Sequence, residues 1–212
     1  GGMQDLGVLP GGTYSLGLAI SGDGGVVVGN GDVGSDGRAF RWTQADGVMK
    51  PLGSLSGSTF DGAYAVSADG GTIAGSSGGQ AVRWTSDEPQ ALGSLPGMSF
   101  SMATAVSGNG HVIAGNYSGG AFVWTEATGI LDFKGLLGSR GVDVADWEFF
   151  GINGMSADGS SLVGFGAFGG EVVGILVTDL AVPEITPTAA AVGLLGFAVA
   201  SSWYRNRRQR RL

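Results

Sequence analysis

Short apolar stretches of four to six residues alternate with clusters of glycine and polar residues along most of this chain. The apolar stretches are rich in Val, Ile, Phe and Trp, which favour β-strands. Asp-Gly and Asn-Gly pairs stand between neighbouring stretches and supply the positive φ angles that tight hairpin turns require. No helical period is sustained before residue 189. The pattern therefore predicts an all-β domain built from hairpins.

One unit of the pattern occurs four times, and Trp42, Trp84 and Trp124 mark a period of 40–42 residues. Each unit contains a Leu-Gly segment, an Ala-Val-Ser segment, an Ile-Ala-Gly segment and an Ala-Phe-x-Trp segment, and we expect one strand from each. Four antiparallel strands at this period are typical of a β-propeller blade. The fourth unit is looser: its Leu-Gly segment is blurred over 133–138, it carries an insertion at 141–150, and Val177 replaces the tryptophan.

The repeats predict a small β-propeller of four units with four strands each, followed by a C-terminal transmembrane helix. Segment Leu6–Leu9 is expected to complete the last sheet and to close the ring. The alternatives are a larger propeller whose start is lost, and an open β-solenoid or sandwich. The predicted regions are a repeat domain at 1–180 (units at about 5–49, 50–90, 91–130 and 131–180), a linker at 181–188, the helix at 189–204 and a basic cytoplasmic tail at 205–212.

The end of the chain combines three features. Val182, Pro183 and Glu184 precede an apolar run from Ala189 to Tyr204, which is just long enough to cross the hydrocarbon core of a membrane. The arginines after the run are expected to hold the C-terminus in the cytoplasm, because Lys and Arg resist translocation. Everything before the run is then expected on the other side of the membrane. The orienting residues are Arg205, Arg207, Arg208, Arg210 and Arg211.

This combination resembles the C-terminal sorting signal of PEP-CTERM proteins, which are exported by Gram-negative bacteria and processed by exosortases. Ile185 stands where that family most often has its second proline, and Pro187 follows two residues later. The resemblance implies an exosortase-type processing enzyme as a partner and an inner-membrane precursor that is cleaved near the motif. The product is then released to the cell surface or the extracellular matrix. The alternative is an unprocessed single-pass anchor that carries a periplasmic β domain.

The repeats themselves resemble the HAF repeat family of extracellular β repeats. The resemblance covers residues 5–178, and Arg38, Gln80 and Gly120 occupy the place of the histidine after which the family is named. It implies an exported repeat domain and brings no established enzymatic activity with it. In the first unit the matching residues are Leu9-Pro10-Gly11-Gly12, Ala19-Ile20-Ser21, Val27-Val28-Gly29 and Arg38-Ala39-Phe40-Arg41-Trp42.

Composition narrows the classes of function. Residues 1–204 carry a net charge of −12 and the last eight residues carry +5. An acidic body argues against nucleic acid as a partner, since phosphate neutralisation needs basic patches. The chain has no cysteine, which excludes disulfides, thiol catalysis and thiolate metal sites. Its N-terminus lacks the features of a signal peptide, so we expect a mature form, a fragment or a misassigned start.

Few side chains are candidates for catalysis or metal binding. His111 is the single histidine and stands in a predicted turn. Asp23, Asp69 and Asp158 recur at one repeat position, which suits either calcium ligands or turn residues before glycine, and we favour the turn. We therefore expect no catalytic residue, no metal site and no cofactor.

The insertion in the fourth unit contains the candidate ligand-contact residues Asp143, Asp146, Trp147 and Glu148. Carboxylates beside aromatic rings suit a glycan site, and irregular insertions on a rigid scaffold often carry binding function. The competing interpretation is a solvated loop whose aromatic rings fold onto the sheet.

Taken with the tail, these features predict a non-enzymatic exported surface or matrix protein. The alternative is a carbohydrate-binding or carbohydrate-active module with extracellular polysaccharide as its partner.

Overall fold

The computed structural model describes residues 2–182. The predicted membrane helix, the arginine cluster, Pro183 and Glu184 lie outside these residues. No helix between residues 2 and 182 has the length and apolar character that a membrane crossing requires.

The described chain is all-β apart from one short helix, as the sequence predicts. Its strands form four antiparallel sheets in which successive strands are neighbours, and we call these sheets blades 1 to 4. Blade 1 contains β1 (Ser15–Ile20), β2 (Val26–Val33), β3 (Asp36–Thr43) and β4 (Met49–Pro51); blade 2 contains β5 (Asp61–Val66), β6 (Ile73–Ser77), β7 (Gln80–Trp84) and β8 (Pro89–Ala91); blade 3 contains β9 (Ser101–Val106), β10 (Val112–Tyr117), β11 (Gly120–Thr125) and β12 (Gly129–Asp132); blade 4 contains β13 (Trp147–Met155), β14 (Leu162–Phe168) and β15 (Glu171–Val177).

The Leu-Gly segments are links between blades, and the prediction that they form strands is wrong. The fourth strand of a blade comes just before the motif, as β4 does before Leu52, and pairs with the Trp-containing strand of the same blade. Leu52 itself is buried between blades 1 and 2. The indole N–H of Trp84 donates to the carbonyl of Gly53 at 2.9 Å. The motif therefore has a packing role, because its leucines fill the space between adjacent sheets.

A helix replaces the blurred Leu-Gly segment of the fourth unit. Helix α1 spans Phe133–Ser139, and the carboxylate of Asp132 accepts from the N–H of Gly135 as its N-cap. Phe133 and Leu137 are buried in the cluster between blades 3 and 4. The prediction of no helix before the tail is thus wrong, because a capped helix of about two turns with two core residues needs no extended period.

Adjacent blades pack face to face around apolar clusters. Val28 and Ala39 of blade 1 meet Ala63 of blade 2, and Ala74 and Ala81 of blade 2 share a cluster with residues of blade 3. The first strand of each later blade contacts strands of the blade before it. Sequential sheets packed in this way are the architecture of propeller blades.

The described residues do not close a ring. Blade 4 has three strands, and Leu6–Leu9 contains no strand. Leu9 is fully buried against Phe40, Trp42 and Met49 of blade 1. The predicted completion of the last sheet by this segment is therefore wrong, because its leucines cover blade 1 as the other Leu-Gly segments cover their own blades.

Candidate functional site

A cleft of 590 Å³ opens between blades 3 and 4. The β10–β11 hairpin forms one wall, and the start of α1 and the start of β13 form the other. Its lining contains two acidic side chains, a lysine and aromatic rings. The residues whose side chains bear on its chemistry are Tyr117, Asp132, Lys134, Glu148 and Phe150.

Tyr117 and Asp132 form the floor of the cleft. The Tyr117 hydroxyl donates to Oδ1 of Asp132 at 2.7 Å, while Oδ2 of Asp132 caps α1. Burial, together with the hydrogen bond to the Asp132 carboxylate and its negative charge, raises the pKa of Tyr117 to about 12. The phenol therefore stays protonated at neutral pH and serves as a fixed hydrogen-bond donor.

The other polar groups differ in how firmly they are held. Lys134 Nζ donates to the backbone carbonyl of Trp147 at 2.7 Å, which ties α1 to β13. Glu148 is exposed, and among residues 2–182 its carboxylate has no hydrogen-bonding or ionic partner. Phe150 is 39% exposed and packs edge-on against Phe165 with ring centroids 6.0 Å apart. A carboxylate and an aromatic ring are thus available to a ligand.

Only one of the four candidate ligand-contact residues lines this cleft. Glu148 lies in it, whereas Asp143 is exposed and accepts from the N–H of Ala145, and Asp146 is exposed. Trp147 is half-buried and packs beside Phe149 and Phe168, with centroids 6.3 Å and 4.6 Å away. Alternation along β13 places Trp147 and Glu148 on opposite sides of the strand, so the insertion is divided between core and cleft.

Tyr117, Asp132 and Lys134 were not among the site residues predicted from the sequence. Tyr117 comes from the third unit, Asp132 and Lys134 come from the start of the fourth, and the packing of blades 3 and 4 brings them together at the cleft. The one signal available was Asp132 itself, since an Asp immediately before an apolar residue is a helix N-cap pattern.

The recurring acids hold their own turns. The hydroxyl of Ser21 donates to Asp23 at 2.6 Å, and the N–H of Gly25 donates to the same oxygen at 2.8 Å. In blade 4 the pKa of Asp158 is lowered to about 2. The hydrogen bond from the Ser156 hydroxyl is the largest cause, and the hydrogen bond from the N–H of Ser160 is the next. Within residues 2–182 no three His, Cys, Asp or Glu side chains are grouped so as to hold a metal ion.

Asp61 is a buried acid whose structural role the sequence pattern did not predict. It is fully buried at the junction of blades 1 and 2. Arg38 of blade 1 donates to its Oδ2 at 3.0 Å, and the hydroxyls of Ser58 and Ser77 donate to Oδ1. The hydroxyl of Ser54 also donates to Oδ2. Every lone-pair direction is occupied, so this carboxylate joins two blades and is closed to ligands.

Comparison with known proteins shows the fold alone. No family model matches the chain, and no curated protein matches it. A putative TolB from Agrobacterium tumefaciens is similar, with a TM-score of 0.51 and 16% identity over 78% of this chain and 59% of its own. TolB from Acinetobacter baumannii gives 0.50 and 17% over 77% and 40%, and a Dos1 propeller gives 0.46 and 16% over 77% and 41%. The chain spans less than two thirds of the length of these structures.

Proposed function

We propose that the chain is a non-enzymatic exported protein of the cell surface or extracellular matrix, delivered by a PEP-CTERM-like sorting signal. The observation that carries the proposal is the ordered combination of Val182-Pro183-Glu184, the apolar run 189–204 and the terminal arginines. The run contains no charged residue, which suits a bilayer crossing, and its basic end favours a cytoplasmic C-terminus.

The β domain supports this role. A domain without cysteine folds independently of the redox state of its compartment. Its net negative charge favours solubility outside the cell. In the cleft, the phenol of Tyr117 is held protonated and both oxygens of Asp132 are occupied. These groups suit binding better than proton transfer, which supports a non-enzymatic role.

The test follows the fate of the tail. The 212-residue chain is placed behind an export signal and produced in a Gram-negative host with an exosortase and in the same host without it. The intact mass of the mature protein is expected to correspond to a chain that ends near Glu184 in the first host and to a chain that includes Arg205–Arg211 in the second. Glu184→Ala is expected to block processing, whereas Glu171→Ala, an exposed acid outside the motif, is the matched control.

Retention of the arginines in both hosts would contradict sorting and support the alternative of an unprocessed anchored periplasmic domain. The partner in that case is the membrane alone.

A second candidate function, carbohydrate binding, is favoured by the exposed Phe150 ring and the Glu148 carboxylate, which has no partner in the part of the chain that the structure describes. Aromatic faces and carboxylates are common contacts for sugars. A glycan array with the intact chain tests this, and Phe150→Ala and Glu148→Gln are expected to abolish binding. Val142→Ala, on an exposed loop outside the cleft, is the control. Absence of binding, or binding unchanged in both cleft variants, would remove this candidate.

A further inference from the structure

Blade 4 ends in an exposed apolar face. Val163, Phe165, Val172 and Leu176 alternate along β14 and β15, and their exposed fractions are 49%, 39%, 71% and 69%. Side chains two residues apart on a strand share a side, so these four form one surface. We call it the trailing face of blade 4. An apolar surface of this kind on a single chain marks an interaction site.

The position of Val163 is buried in each of the preceding blades. Val163 corresponds in the repeat to Val28, Ala74 and Ala114, and each of these is fully buried. They are covered by the first strand of the following blade. The trailing face of blade 4 therefore has the position that a further blade covers three times within this chain.

Blade 1 offers the complementary surface. Ile20 is 60% exposed and Val27 is half-buried, whereas Ile73, Ile113 and Leu162, which correspond to Val27, are buried. Leu6 and Leu9 already cover the outer part of this side, as Leu52 does for blade 2. We call Gly17, Ile20, Gly24 and Val27 the leading face of blade 1. Its link is in place, and among residues 2–182 no preceding blade covers it.

A ladder of backbone hydrogen bonds connects the inner turns and stops at both ends. The N–H of Gly22 donates to Ala68, that of Ala68 to Gly108, and that of Gly108 to Ala157, at 2.7–2.9 Å. Among residues 2–182 the ladder has no rung beyond Ala157 and none before Gly22. An Ala157 N–H and a Gly22 carbonyl are the groups that one more rung would join.

We propose that the trailing face of blade 4 binds the leading face of blade 1 of a second copy of this chain. The contact is head-to-tail, repeats the internal blade interface and adds one rung to the ladder. The second copy is the occupant that the structure favours, since a leading face of this shape is present in the chain itself. Two such contacts would close a ring of two copies with twice the four blades observed, within the range known for propellers.

Engineered cysteines test the proposed contact between Ala157 and Gly22 of two copies directly, because the chain has no cysteine of its own. An ideal Cβ on Gly22 lies 3.2 Å from the Cβ of Ala68, and one on Gly108 lies 3.3 Å from that of Ala157, close to the separation in disulfides. The full 212-residue chain is made with two different tags in detergent, one carrying Gly22→Cys and the other Ala157→Cys. An interchain disulfide between the two tags is expected on mild oxidation.

Two controls accompany this pair. Gly108→Cys with Ala157→Cys in one chain is expected to form an intrachain disulfide, which reports correct folding of blades 3 and 4. Gly22→Cys mixed with Ser86→Cys, on an exposed loop of blade 2, is expected to give no interchain product.

Charge on the trailing face provides the second measurement. Val163→Asp is expected to cause loss of the interchain disulfide, whereas Val142→Asp, 44% exposed on a loop, is expected to leave it intact. The proposal is overturned if Gly22→Cys and Ala157→Cys in one chain form an intrachain disulfide, because the chain then closes its own ring. It is also overturned if the folding control forms and the two-tag pair does not, because no second copy then covers the face.

Discussion

Removing the buried carboxylate of Asp61 is expected to weaken the junction between blades 1 and 2. This side chain is fully buried and accepts from Arg38 and from three serine hydroxyls. Asp61→Ala leaves these donors without their acceptor in a site closed to water. Breaking a buried ion pair by removing one partner costs about 3–5 kcal/mol. Arg38 keeps a second partner in Asp36 at 2.6 Å, so we expect about 3 kcal/mol, the lower end of that range.

Urea unfolding of the 212-residue chain in mild detergent, followed by tryptophan fluorescence, measures this loss. With a slope of about 1–3 kcal/mol per M, a loss of about 3 kcal/mol lowers the midpoint by roughly 1–2 M. Asp36→Ala is the control, since Asp36 is the other partner of Arg38 and the Asp36 side chain is 33% exposed. Partly exposed ion pairs contribute about 0–1 kcal/mol, so its midpoint should hardly move.

Equal midpoints for Asp61→Ala and Asp36→Ala would refute the reasoning. They would mean that the serine hydroxyls and Arg38 find other partners or water once the carboxylate is gone, and that the junction rests on apolar packing alone.

Three further outcomes are expected from the same unfolding assay. Because the folded state lowers the pKa of Asp158 to about 2, stability should be complete above pH 4 and fall as the pH drops towards 2, and Asp158→Asn should flatten that slope. Gly75→Ala places a Cβ 2.0 Å from a carbonyl oxygen of the neighbouring strand and should cost about 1–3 kcal/mol, whereas Gly174→Ala, with nothing within 4 Å, should change stability by less than about 0.5 kcal/mol; equal effects would refute the steric argument. Trp84→Phe removes the indole N–H that donates to the carbonyl of Gly53 in the link between blades. It should cost about 1 kcal/mol more than Trp42→Phe, because the indole N–H of Trp42 is buried without a partner among residues 2–182. The reverse order would contradict this role for the link.

The strand pattern was predictable because strands and tight turns depend on residues that are close together in the chain. Alternating apolar residues and Asp-Gly or Asn-Gly turns identified three strands in each unit. Gly24, Gly70, Gly110 and Gly159 all have positive φ at the turns where the sequence places them. The all-β fold and the period of 40–42 residues are therefore confirmed.

The Leu-Gly segments were misread because a buried leucine looks the same in a strand and in a link. Leu52 and Leu92 are buried in both interpretations. What distinguishes them is the destination of their backbone hydrogen bonds. The N–H of Leu52 donates to the carbonyl of Ala39 in β3 of blade 1, and that of Gly53 donates to the carbonyl of Asp87 in blade 2. Such a division between two sheets has no local signature.

The candidate site was predictable only in part. The insertion in the fourth unit does border the cleft, and Glu148 lies in it. Tyr117 and Asp132 form its floor, and Tyr117 belongs to the third unit. Their approach depends on the packing of blade 3 against blade 4, which sequence spacing does not encode.

The sequence by itself determined the all-β fold, the repeat, the turns and the character of the C-terminal segment, because each depends on residues close together in the chain. Only the tertiary structure decided which blade each strand belongs to, that Asp61 joins two blades, and that blades 1 and 4 leave apolar faces uncovered. These properties depend on how sheets of different units pack, where burial and hydrogen bonding between residues far apart in the chain decide the outcome.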